Sequence, residues 1–169
     1  MRTVEIEWHP IGIKVVAILT EGANRNLADL FWDSLPYNSL QNHALVSGNH
    51  LYHLVPSIEL LYTQAERKED RTKSPDGTLF LSQLQHLAIK YGPLSEYIPA
   101  APIGMVIPEH IPLLREVGRA CWNATFRTKQ VIEVRVRRQG TTELGFRLPK
   151  PVVSTPLHPD VQVLLQRIH

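Results

Sequence analysis

The chain has 169 residues, 43% of them hydrophobic and 20% charged, with a formal net charge of +2. That length supports one substantial core rather than two, and so balanced a charge excludes the broad basic footprint of a nucleic-acid or membrane-surface binder. A lone cysteine, Cys121, excludes an intramolecular disulfide and points to a reducing, cytoplasmic setting, while no stretch reaches the roughly 18 apolar residues of a spanning helix.

In chain order, Val4, Ile6 and Trp8 alternate with Glu5, Glu7 and His9, the period of a strand with one buried face. Pro10 and Gly12 mark a turn into a β-rich run from Ile13 to Leu19, so the first two strands are expected to form a hairpin. Asn24 or Asn26 can cap a helix carrying Leu27, Leu30, Phe31 and Leu35 on one face, stopped by Pro36. From His43 to Val55 a strand-like segment is interrupted at Ser47-Gly48-Asn49, giving two short strands or one bent one. Between Tyr62 and Thr78 charges of both signs crowd together before Pro75-Asp76-Gly77, which reads as a long solvated loop, either a functional lid or a wet surface.

Leu79 to Leu81 and His86 to Tyr91 read as two further strands, the second ended by Gly92-Pro93. A proline-rich connection follows from Pro99 to Pro108. A second helix with Ile111, Leu114, Val117 and Cys121 on one face then begins, with Pro112 tolerated in its first turn. Within it Cys121 reads as an inert, packed thiol. Ile132, Val134 and Val136 alternate with Glu133, Arg135 and Arg137 in a closing strand. Past residue 138, His158-Pro159-Asp160 can start a helix with Val161, Leu164, Leu165 and Ile168 as an apolar stripe, expected to pack on the barrel, on a second copy, or in a helical bundle that continues beyond this chain.

This order of strands and helices resembles the bacterial cyclophilin-like barrels. The likeness is carried by Asn26-Leu27-Ala28-Asp29-Leu30-Phe31-Trp32, Leu35-Pro36, His43-Ala44-Leu45-Val46-Ser47-Gly48, Leu51-Tyr52, Asp76-Gly77-Thr78-Leu79 and Leu87-Ala88-Ile89-Lys90-Tyr91-Gly92-Pro93, and spans roughly residues 3 to 137. Within that group the chain is most similar to the cyclophilin-like domain of cucumopine synthases. The resemblance implies a mainly β fold with two or three helices, a closed barrel over residues 1–138, and an extension over 139–169. True prolyl isomerases of this fold carry a Phe-His-Arg segment; here the corresponding stretch is Asn42-His43-Ala44-Leu45, without arginine, so that activity is not expected.

Four of the eight histidines, His43, His50, His53 and His86, stand in or beside the barrel strands. Imidazole gives and takes protons near neutral pH, which makes them candidate catalytic acids and bases, each with a structural or surface role as the alternative. They lack metal-ligand spacing, and no metal is expected. Lys90 with Tyr91 ends an apolar strand and can hold a substrate carboxylate or snorkel to solvent. Ser47 and Tyr52, from the matched segments, can add hydroxyls to a pocket, and Glu96 can be a carboxylate at its mouth. The nine glycines form no phosphate-binding loop, so no nucleotide cofactor is expected. The resemblance then implies condensation of an amino acid, L-histidine, with a 2-oxo acid, 2-oxoglutarate, by imine formation and ring closure without a redox cofactor. The alternative is a non-catalytic module that binds a small molecule or peptide. A homo-oligomer with a small-molecule substrate, and neither nucleic acid nor membrane as partner, completes the expectation.

Overall fold

The computed structural model of the chain describes residues 1–142. The expected helix over 158–169 and most of the 139–169 extension lie outside the described residues. β1 (Thr3–His9) and β2 (Ile13–Leu19) form the hairpin, in register from Thr3 opposite Ile18 to Trp8 opposite Ile13. Alternation buries Val4, Ile6 and Trp8 from the first strand and Val15, Ala17 and Leu19 from the second. Helix α1 (Arg25–Asp33) turns Leu27, Ala28 and Phe31 inward. Its N-cap, Asn24, is left-handed and makes no side-chain cap, because that side chain is used elsewhere.

Then come β3 (Tyr37–Leu40), β4 (Asn42–His43), β5 (Gly48–Leu54), β6 (Glu69–Asp70), β7 (Thr78–Leu81), β8 (His86–Leu94) and β9 (Pro99–Val106). Helix α2 (Ile111–Asn123), prolonged by a π-helical turn at Ala124–Thr128, precedes β10 (Glu133–Arg138). The strands lie in the order β3-β10-β1-β2-β9-β7-β8-β5-β4, every pair antiparallel, with β6 added outside β9. This is a nearly closed barrel with two helices, mainly β as expected. The two edges, β3 and β4, flank Gln41, whose backbone N–H donates to Ile132 O and whose side-chain amide donates to Asn42 O and Tyr52 O. One buried glutamine thus spans the seam where no ladder closes.

The interior is mainly apolar, built from residues such as Ile6, Val15, Phe31, Leu51, Leu79, Leu87, Ile89, Ile103 and Val134, and α2 packs onto it with Leu114, Val117 and Cys121. Burial pushes the Cys121 thiol up to about 12, so it stays protonated and unreactive.

Two expectations are corrected. The proline-rich connection is a strand, β9: Pro99 is its first residue, and Pro102 faces Phe80 beside a register shift, both places where a missing N–H is tolerated. β8 is not ended by Gly92-Pro93 but runs through them to Leu94, opposite Gly48. Residues 37–40 form a strand the periodicity did not show, since only Tyr37 of Tyr-Asn-Ser-Leu is buried.

Candidate functional site

Period-two alternation sorts the polar residues of β5 and β8 onto two sides. Leu51 and His53 face the core with Leu87 and Ile89, whereas His50 and Tyr52 face outward with His86, Ala88 and Lys90. On that outer face lies a cavity of about 400 Å³. His50, Tyr52, His86 and Lys90 therefore converge outside the barrel wall and not within its hollow.

The segment between Tyr62 and Thr78 roofs this cavity and is not a freely solvated loop. Asn24, fully buried, donates through Nδ2 to Arg67 O and Pro102 O and accepts from Arg67 N–H at 2.9 Å. Asn26 Nδ2 donates to Gln64 O. β6 pairs with the start of β9, Glu69 opposite Ala100 and Asp70 opposite Pro99. Thr72 Oγ1 donates to Asp70 Oδ1 at 2.6 Å, and Ser74 Oγ donates to Glu69 Oε1 at 2.8 Å. Lys90, 5% exposed, donates from Nζ to Thr72 O and Ser74 O.

The cavity has an apolar and a polar part. Leu27, Phe80, Leu84, Ile98 and Ala101 make the first, while Ser47, His50, Tyr52, Lys68, Arg71, His86 and Lys90 contribute to the second. Arg71 has a side chain only 12% exposed, and its guanidinium meets Glu96 at 3.4 Å and the Glu96 backbone oxygen at 3.3 Å. Burial first, then the charge of Arg71 and the neighbouring His43, push the His50 imidazole down to about 4. Burial also lowers His86. Both are neutral imidazoles at neutral pH, beside a wall rich in fixed positive charge. Such a site favours an anion such as a carboxylate, next to bases able to accept a proton.

Of the sequence-predicted residues, His50, His86, Ser47, Tyr52 and Lys90 line this cavity, and Glu96 reaches it through Arg71. His43, His53 and Tyr91 are not brought there. His43 Nε2 meets the Tyr91 hydroxyl at 2.5 Å, and its ring packs edge-on against Trp122 and Phe126 beneath α2. His53 is fully buried in the core between Tyr37 and Gln41, and burial pushes it down to about 3. Arg71 and Lys68 are cavity residues that sequence reasoning missed, because they stand in a mixed-sign charge run without periodicity. Among the described residues no group of three or more His, Cys, Asp or Glu side chains forms a metal-ligand set, and no helix is long and apolar enough to cross a membrane.

No family model and no curated protein matches the chain. Among solved structures, McbB in complex with tryptophan superposes with a TM-score of 0.88 and 62% sequence identity over 98% of this chain. The chain is similar to McbB. It spans about half of that protein, 53% of its length. The solution structure of a hypothetical protein from Archaeoglobus fulgidus matches 81% of this chain and 94% of its own length, with a TM-score of 0.55 and 12% identity, a likeness of fold alone.

Proposed function

We propose that the outer-face cavity binds an amino acid with an electron-rich ring and condenses it with a 2-oxo acid, closing a new ring without a redox cofactor. The observation that carries this reading is the cavity itself: an apolar half beside a cationic half holding two neutral imidazoles. McbB, solved with tryptophan, supports an amino-acid ligand. The resemblance to the cyclophilin-like domain of cucumopine synthases supports the reaction type. Histidine and tryptophan share the needed chemistry, since each places a nucleophilic ring carbon within reach of an imine formed on its own amine.

In this reading Arg71, with Lys68, holds the amino-acid carboxylate, and Leu27, Phe80, Leu84 and Ile98 enclose the ring. Neutral His86 accepts the ammonium proton, freeing the amine to attack the ketone. The protonated His86 returns that proton to the carbinolamine hydroxyl, which leaves as water to give the iminium; the ring carbon attacks the iminium carbon, and the proton released from the ring passes to His86, neutral again, or to Glu96. The balance is one water lost and no electrons gained or lost.

The test is incubation of the purified chain with L-tryptophan or L-histidine and 2-oxoglutarate. Mass spectrometry is expected to find a product weighing the two reactants less one water. Saturable binding of the amino acid with no such product would instead assign a non-catalytic binding module. The reading also carries a homo-oligomer in a cytoplasmic setting, and light scattering measures the oligomer's mass directly.

A further inference from the structure

We propose that Lys90 is a positioning residue for Arg71: it fastens the cavity roof so that the guanidinium is presented to the ligand, and does not itself hold the ligand. The inference rests on the reading above, in which Arg71 meets a substrate carboxylate.

Lys90 is a buried ammonium, and among the described residues no carboxylate lies within ion-pairing distance of it. Burying such a group is costly, and a methionine would fill the same space without the penalty. What the ammonium does that a thioether does not is grip two carbonyls, Thr72 O at 3.0 Å and Ser74 O at 2.5 Å. The carbonyl of Lys90 also accepts the Gly77 N–H at 2.6 Å. A single residue of β8 therefore holds the roof at 72, 74 and 77, immediately after Arg71.

On the other side of Arg71 the roof is tied by the short β6–β9 pairing. The bonds of Arg71 itself are weaker restraints. Both contacts to Glu96 are long, at 3.3 and 3.4 Å, and the Glu96 side chain is 41% exposed. The geometry makes Arg71 a bridge between two anchors, with Lys90 as the downstream one.

A double-mutant cycle on the full chain tests this, read as the dissociation constant for L-tryptophan with Lys90→Met, Arg71→Met and both together. Loss of one charge-assisted contact is expected to weaken binding roughly tenfold in each single variant. If Lys90 acts through Arg71, the double variant binds no more weakly than Arg71→Met alone. Trypsin cleavage after Arg71 should also rise severalfold in Lys90→Met while circular dichroism still reports the folded barrel. Losses that multiply to roughly a hundredfold, with Arg71 still protected, would overturn the proposal and make Lys90 a ligand. Should Lys90→Met fail to fold, Lys90→Gln, which keeps N–H donors on a shorter stem, enters the same cycle under the same criteria. Absence of tryptophan binding by the wild-type chain would count against the proposed function alone; the cleavage comparison would then decide the role of Lys90, an unchanged rate refuting it.

Discussion

Replacing His53 with leucine isolates the acid sensitivity of the barrel core. His53 lies with Nδ1 3.3 Å from Gln41 Oε1 and Nε2 2.9 Å from the Tyr37 hydroxyl, and Gln41 Oε1 also accepts the Trp8 indole N–H at 2.7 Å. An amide oxygen only accepts, so Nδ1 carries the hydrogen and Nε2 accepts from Tyr37. Burial holds this imidazole at about 3 in the folded chain, against about 6.5 when unfolded. Between those values the unfolded chain binds a proton that the folded chain refuses, so stability falls as pH falls. The slope from this one group is up to about 1.4 kcal/mol per pH unit, or about 5 kcal/mol across the window. His50, held at about 4, adds to the loss with the same sign. In His53→Leu the slope measured by urea unfolding from pH 6 to 4.5 should drop by about 1.4 kcal/mol per pH unit. At pH 7.5 the variant should be less stable by about 1–3 kcal/mol, because Tyr37 and Gln41 each lose a partner. Parallel pH profiles for the two proteins would refute the claim that a neutral His53 is built into the core.

Further outcomes follow from the cavity and its surroundings. Arg71→Met should raise the His50 titration above about 4, while leaving it below 6.5 because burial is the larger cause; NMR titration reads it, and an unmoved or lowered midpoint would contradict the placement of Arg71. His86→Gln should slow condensation by roughly a hundredfold or more while the urea midpoint moves little, as expected of a proton-transfer group at a cavity wall; an unchanged rate would remove it from the mechanism. Gly118→Ala places a methyl group into the ring of Tyr91. It should destabilise the fold by about 1–3 kcal/mol in thermal or urea unfolding, since neither α2 nor β8 can yield without disturbing the His43–Tyr91 bond.

Much of the fold was legible where one face of an element is buried and the other is wet. The hairpin Thr3–Leu19, helix α1 and strand β10 announce themselves by period alone, because burial acts on alternate or helically spaced side chains. β9 was hidden because Pro99, Pro102 and Gly104 are poor strand formers, kept extended by β2, β6 and β7 on its flanks. At the site, residue identity was more legible than placement. His50 and His53 are three apart in one strand, so they face opposite sides, a consequence of the pleat that the spacing already carried. His86 and Lys90 share a face by the same rule. The inward turn of Arg71 was not legible: it depends on Asn24, Lys90 and the β6–β9 pairing, contacts from distant parts of the chain.

The proposed chemistry requires the ligand to bind in the outer-face cavity. Titration of the isotope-labelled chain with L-tryptophan, followed by NMR, measures that placement directly. Saturable shifts are expected, concentrated on His50, Tyr52, Arg71 and His86, with His43 and Tyr91 left in place. Shifts centred on His43, Tyr91 and Trp122 beneath α2, with the outer-face residues unmoved, would contradict it.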